Sequence, residues 1–325
     1  MRNLFGFSLP DTFKTIFGAI FLAFSLGFLF SCETDIDLDL PEGKPAIVVE
    51  GHIEPSQSPV IVLTKSAAIF SGFSTAQMEN SFVHHAKIFV IAGNQEFELQ
   101  EMSSFNVSAE TLQLIAGQYG LTINPVTGKL PFNFYFYTSP ELKGEPGKNY
   151  RLRIQTENEM LTAATSIPQL NPLDSLWFKP HPNPKNDSLV MLWYRYKDPD
   201  TLGNCVRYFT KRNQETFYPG YFASVFIDEF VNGKPFIDFP LQRGEPKSKE
   251  PDFATFGYFK KGDTITVKWS ATDLAHYRFW NSLETEFSSQ GNPIGSPTVI
   301  QSNINGGLGI WGGYGSTYHK IVVPK

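Results

Sequence analysis

Between residues 131 and 138 every second side chain is a phenylalanine: Phe132, Phe134 and Phe136 alternate with Asn133, Tyr135 and Tyr137. A period of two belongs to a pleated strand with one face turned toward a core, and it excludes a helix over the same residues. The alternation returns at residues 149–155, where Tyr150, Leu152 and Ile154 oppose Arg151 and Arg153. Val- and Ile-rich runs at 46–53 and 59–64 flank Pro55-Ser56-Gln57-Ser58. Runs at 87–92 and 96–99 flank Gly93-Asn94 as the arms of a hairpin would, and a further strand is expected at 160–167. Phe (30), Tyr (13) and Trp (5) make up 15% of the chain against 18% charged residues, so a folded core rather than disorder must absorb the rings.

Residues 168–172, which begin and end in proline, read as a linker. Beyond it, strands are expected at 189–196, 206–211, 223–230, 235–239 and 264–269. One helix is expected at 271–288, with Ser270 as N-cap, Asp273 closing a capping box, and His276, Phe279, Trp280, Leu283 and Phe287 on one stripe. The expected fold is all-β: two Ig-like β-sandwich units in tandem, 46–168 and 173–325, with the single helix in the second. The loop from Ser66 to His85 carries Phe70 and Phe73 and is long enough to serve a partner.

The N-terminus has a different character. Arg2 and Lys14 precede a fifteen-residue apolar run at 16–30, too short to span a bilayer comfortably. Leu29-Phe30-Ser31-Cys32 follows and resembles a bacterial lipobox, which places signal cleavage after Ser31 and lipidation on Cys32. Residues 1–31 are then a signal peptide. Residues 32–45 form a tether with acids at every second position, Glu33, Asp35, Asp37 and Asp39, a pattern resembling the surface-export signals of Bacteroidota lipoproteins. An acylated cysteine would hold the protein on a membrane without a spanning helix. With Cys32 acylated, Cys205 stands alone in a strand-like run and reads as a buried, inert thiol.

Chemistry is sparse. The net charge of −5 and the scattered basic residues give no surface for nucleic acid. His84 and His85 point to opposite sides of an extended segment, so no metal site is expected there. Asp198-Pro199-Asp200-Thr201-Leu202-Gly203-Asn204 has partial EF-hand spacing, but Leu202 and Phe209 stand where ligands belong, leaving a solvated turn. Gly307-Leu308-Gly309-Ile310-Trp311-Gly312 spells a dinucleotide fingerprint with no helix after it and too little chain for the rest of that fold, so no cofactor is expected. Its glycines would instead let Trp311 and Tyr314 pack across a tight turn. Asn232-Gly233 signals a hairpin that would bring Glu229 and Asp238 onto one face, the only pairing suggestive of a glycosidase.

Several segments, read in order, resemble one family. They are the Cys32 lipobox with its acidic tether, Ile47-Val48-Val49-Glu50-Gly51, Val62-Leu63-Thr64-Lys65-Ser66, Ala86-Lys87-Ile88-Phe89-Val90 and Pro146-Gly147-Lys148-Asn149-Tyr150-Arg151-Leu152. Further along come Asp174-Ser175-Leu176-Trp177, Tyr196-Lys197-Asp198-Pro199, Phe259-Lys260-Lys261-Gly262-Asp263 and the stretch from Ser302 to Ile310. Together they resemble the Bacteroidota lipoprotein family called domain of unknown function 4249, with Trp311 where phenylalanine is more usual. The resemblance implies an all-β lipoprotein of the outer membrane, encoded beside TonB-dependent receptors, with no assigned catalytic residue. The expected role is therefore a non-enzymatic, surface-exposed accessory of an outer-membrane β-barrel, a TonB-dependent transporter, acting in nutrient capture or gating. The alternative is an accessory of an assembly or surface-export machine, and a surface glycosidase is a third reading. Phe70, Phe73, Tyr218, Tyr221 and Trp311 are the expected contact residues for a partner or ligand, because aromatic rings supply stacking area and hot spots.

Overall fold

A computed structural model describes residues 45–66, 75–119, 121–229, 232–246, 251–289 and 298–325. In its first half, strands run at Ile47–Ile53 (β1), Val60–Lys65 (β2), Lys87–Ala92 (β3), Gln95–Ser103 (β4), Tyr135–Thr138 (β5), Asn149–Gln155 (β6) and Met160–Ser166 (β7). The second half adds Ser175–Pro180 (β8), Leu189–Lys197 (β9), Cys205–Arg212 (β10), Tyr218–Pro219 (β11) and Val225–Ile227 (β12). It continues with Pro235–Leu241 (β13), Phe259–Lys260 (β14), Thr264–Thr272 (β15), Leu308–Gly313 (β16) and Gly315–Val322 (β17). The chain is mostly β, as the alternation requires, but helices occur in both halves: Thr75–Ser81 (α1), Ala109–Gln118 (α2) and Leu274–Ser289 (α3). None of the described helices is long and apolar enough to cross a membrane.

The strands form three sheets. The largest has eight strands in the order β16-β1-β2-β5-β4-β3-β6-β7. Its two ends come back beside each other, joined by a bridge between Thr162 and Asn305 and by a 2.8 Å hydrogen bond from Gly313 N to Thr165 Oγ1. The sheet thus curls around its own core, in which Val49, Ile61, Ile88, Leu152, Ile154 and Trp311 are buried. On the outside of β2 and β5, α2 lays Leu112, Ile115 and Ala116 against Val62, Phe132, Phe134 and Phe136. Both faces of β5 are consequently covered, with Phe136 on one side and Tyr137 on the other. Ser108 caps α2 by accepting from Thr111 N at 3.2 Å.

A five-stranded sheet (β11-β10-β15-β17, with β12 also on β10) and a four-stranded one (β13-β9-β14, with β8 on β9) share a second core. Leu192, Tyr194 and Tyr196 of β9 meet Val206, Tyr208, Val267 and Trp269 there. The boundary expected at 168–172 is crossed by β16, which lies in the C-terminal half of the sequence and pairs in parallel with β1, from Val48↔Leu308 to Ile53↔Gly313. The described residues belong to one compact unit.

The glycine-rich stretch is therefore a strand, not the tight turn expected for it. Trp311 lies over Gly51, where an added Cβ would stand 2.8 Å from the indole. Gly309 has φ +104° and a Cβ there would fall 2.0 Å from Val49 O. Gly309→Ala combines left-handed strain with backbone overlap, and should destabilise the protein by about 3 kcal/mol or more in urea unfolding. A wild-type midpoint in this variant would show that β16 does not pack against β1 as described.

Candidate functional site

Cys32, Ser31, Glu33, Asp35, Asp37 and Asp39 lie outside the described residues, as do Phe70 and Phe73. Trp311 leaves the set of contact residues: it is 0% exposed, and its indole N–H donates to Tyr150 O at 3.2 Å inside the curled sheet. Tyr218 sits half-buried in β11 opposite Thr210. Tyr221 joins a ring cluster missed in the sequence, packing edge-on against Phe222 and Phe256, with Phe253 also against Phe256. Phe222 and Phe253 are 48% and 75% exposed. The available signal was phenylalanine recurring in Gly-, Pro- and Asp-containing segments that cannot form long strands.

The paired carboxylates do not form. Asn232-Gly233 does make a turn, with Gly233 at φ +69°, but the chain on either side of it enters different sheets. β12 pairs with β10, whereas β13 pairs with β9 across a bulge between Phe236 and Phe239. Asp238 lies within that bulge at φ +63° and faces Lys179 Nζ at 3.7 Å. Each arm is paired to a different strand, β12 to β10 and β13 to β9, and no ladder aligns Glu229 with Asp238.

His84 and His85 converge on one carboxylate. His84 Nδ1 is hydrogen-bonded to Glu101, and His85 N donates to Glu101 Oε2 at 2.8 Å. Among the described residues no group of three or more His, Cys, Asp or Glu could hold a metal ion. Cys205 is buried as expected, and burial, with Asp228 second, pushes its thiol up to about 12. It should therefore react with iodoacetamide at neutral pH at least about a hundredfold more slowly in the native chain than in urea, read by mass spectrometry of the Cys205 peptide.

The helix cap also differs from expectation. Ser270 and Thr272 belong to β15, which keeps pairing with β10 as far as Thr272. The cap is Asp273, whose Oδ1 accepts from His276 N at 2.8 Å and whose Oδ2 accepts from Thr165 Oγ1 at 2.6 Å. One carboxylate thus starts α3 and ties it to β7.

That tie places α3 beside a buried polar seam between β1 and the five-stranded sheet. Glu54, just after β1, is ion-paired with Lys268 of β15 and accepts from Tyr318 OH at 3.4 Å. Arg207 of β10 donates from Nε to Ser224 Oγ (3.1 Å) and from Nη1 to Tyr314 OH (2.9 Å). Its guanidinium lies 3.4 Å from the centre of the Trp280 ring. Ser224 N and Oγ both donate to Glu284. Trp280 Nε1–H donates to His276 Nε2 at 2.9 Å, which makes Nε2 the acceptor and leaves the proton of the neutral ring on Nδ1. His276 Nδ1 faces Gly312 without a hydrogen-bond partner, and Tyr119 OH is likewise buried and unpaired.

These groups set the acid limit of the fold. Burial, opposed by Glu54 and reinforced by Lys268, brings His52 down to about 4. Burial together with Arg207, His52 and Lys268 holds His276 well below the usual imidazole range. Burial raises Glu54, but Lys268 and His52 outweigh it and the net shift is downward. The folded state keeps both imidazoles neutral where the unfolded chain protonates them. Stability is thus full above about pH 6.5 and should fall, by up to about 1.4 kcal/mol per pH unit for each histidine, as pH drops from there toward 4. Urea unfolding between pH 7.5 and 4.5 reads this directly, and a flat profile would contradict the neutral seam.

A narrow cleft of about 20 Å³, room for about one water, opens on the far side of β10. It is lined by Tyr194 and Tyr196 of β9, Val206 of β10, Phe226 and Ile227 of β12, Trp269 of β15, and Asp198, Asn204 and Asp228 from the loops. Asp228 accepts from Gly203 N (2.9 Å) and Asn204 N (3.0 Å), closing the segment that looked like a metal loop with backbone N–H groups in place of an ion. Asp198 is buried, not solvated as the sequence suggested, and accepts from Gly233 N at 3.1 Å. Burial, together with Asp228 and Asp200, raises its carboxyl above the usual range despite that hydrogen bond.

No curated protein matches the sequence. Over residues 33–320 the sequence matches the family described as Domain of unknown function (DUF4249), and the chain belongs to that family.

Proposed function

We propose that this protein is a lipid-anchored lipoprotein of the outer-membrane surface, acting without catalysis as the accessory of an outer-membrane β-barrel, a TonB-dependent transporter, in nutrient capture or gating. The observation that carries the reading is the continuous order Leu29-Phe30-Ser31-Cys32, then acids at 33, 35, 37 and 39, then a β unit whose first strand begins at Ile47. Acyl chains on Cys32 would provide the membrane affinity, and the acidic tether would separate the anchor from the folded unit. The exposed rings of Phe222 and Phe253, beside Tyr221 and Phe256, supply an aromatic surface suited to a partner. Glu229, in the turn after β12, and Asp238, in β13 of another sheet, lend no support to a glycosidase.

The anchor and the partner are tested separately. Metabolic labelling with palmitate should mark the wild-type chain and not Cys32→Ala, and Cys32→Ala should leave the membrane fraction. Retention of the unlabelled variant in that fraction would overturn lipid anchoring. A C-terminally tagged chain extracted from native outer membranes in mild detergent should bring down a TonB-dependent barrel in stoichiometric amount, identified by mass spectrometry. An assembly or export component in its place, or no barrel at all, would overturn the transporter assignment.

A further inference from the structure

The outer face of the four-stranded sheet carries rings and charges that the core behind it does not use. In β9, Leu192, Tyr194 and Tyr196 belong to the shared core, and in β8 Leu176 and Phe178 pack against it. Strand alternation therefore turns Trp177 and Lys179 of β8, and Trp193, Arg195 and Lys197 of β9, to the opposite face. The register sets Trp177 beside Trp193 and Ser175 beside Arg195. Trp177 thus has Arg195 on its diagonal toward one end and Lys179 next along its own strand toward the other. Every charged residue of these two strands is a cation, and all three lie on this face, in a chain whose net charge is −5.

The three cations are not equally engaged. Lys179 Nζ sits 3.4 Å from the centre of the Trp193 ring and 3.7 Å from Asp238 Oδ2. Asp238 reaches it from the β13 bulge at φ +63°, a left-handed conformation that costs a non-glycine residue free energy. The bulge aims one carboxylate at one lysine and keeps that lysine on its ring. Arg195 and Lys197 are exposed and form no ion pair among the described residues. Among the described strands β8 pairs with β9 alone, so Trp177 stands at the edge of its sheet, half-buried, with part of its ring left to solvent.

We propose that this face binds a saccharide bearing uronic acid, with a pyranose ring laid on Trp177 and its carboxylate held between Arg195 and Lys179. The C–H side of a pyranose is apolar and stacks on an indole, while a guanidinium takes both oxygens of a carboxylate at once. Charge complementarity selects the occupant: a carboxylate supplies the anion that Arg195 lacks, and a neutral sugar does not. A bilayer would meet the same charges, but insertion asks for apolar side chains that project, and Trp177 lies in the face of a sheet. The assignment gives nutrient capture its class of cargo and rests on that reading for its purpose, while its geometry needs neither anchor nor barrel.

Isothermal titration of the full chain in mild detergent tests it, with tetragalacturonate and tetramannuronate as probes and their methyl esters as neutral controls. Saturable binding of at least one acid is expected, with its ester weaker by about tenfold or more. Arg195→Gln changes an exposed residue and should weaken the acid by about fivefold or more while leaving the ester unchanged. Trp177→Leu should weaken acid and ester alike, with the melting temperature as the check on folding; if this variant unfolds, Arg195→Gln alone decides. Because the titration needs no barrel, a failed pull-down leaves this site standing, and a failed titration leaves the transporter assignment standing. The proposal is overturned if neither acid binds saturably, if the ester binds as well as the acid, or if Arg195→Gln keeps wild-type affinity. It is equally overturned if phosphatidylglycerol vesicles sediment the Cys32→Ala chain while the saccharides do not bind it.

Discussion

The parallel pairing of β1 with β16 is the constraint on which the rest depends. It joins residues about 260 positions apart, and loop closure over that length is entropically costly before any contact repays it. Repayment comes from close approach. Trp311 fills the interior of the curled sheet over Gly51, where only a glycine leaves room for the indole. On the other side of the same strand, Gly312 sits against His276, so α3 also docks on β16. A stretch that spells a phosphate-binding loop is in fact squeezed between a strand and a helix, and its glycines remove side chains so that neighbouring elements can meet.

With β16 in place, the five-stranded sheet is held against β1 and the polar seam becomes interior. Glu54 with Lys268, and Arg207 with Tyr314, Ser224 and Trp280, are buried charges that keep their hydrogen bonds. Such pairs add little net stability over apolar packing, but losing one partner is expensive. Their effect is to fix how the layers meet: Glu54 reaches Lys268 in one register only, and Asp273 holds α3 to β7 through Thr165. The two unprotonated imidazoles beside them follow from the same burial, because a further cation would have to enter next to Arg207 and Lys268.

What the sequence revealed was local periodicity, and what it concealed was partnership. Alternation located β5, β6 and the strands around them, since a period of two survives whichever strand lies alongside. It could not show that Phe136 and Tyr137 would both be covered, because α2 supplies the second cover from a segment that does not alternate. The cap at Ser108 was there to be read and marks that helix. Ser270 misled because Ser and Asp three apart suit a capping box, while β10 and β17 extend the strand past Ser270 and leave Asp273 as the first residue free to cap. Asn232-Gly233 set a turn, but a turn dictates direction and not which strands pair afterwards. Trp311 was a contact residue only on its ring chemistry, which suits a partner and a core equally, and the strand it packs on lies near the other end of the chain.

The cleft illustrates the same limit at the level of the site. Asp198 and Asp228 are 30 positions apart and come together because β9 leads into one loop and β12 into another, on sheets that share a core. In the sequence Asp198 belonged to a failed metal loop, and the failure was real: backbone N–H groups of Gly203 and Asn204 occupy the role an ion would have had at Asp228. Closing the loop in this way satisfies Asp228 and leaves Asp198 alone with a single donor, held between rings that give it no counter-charge. Burying a carboxylate costs free energy at neutral pH, and at Asp198 the N–H of Gly233, set by the Asn232-Gly233 turn, offsets part of that cost.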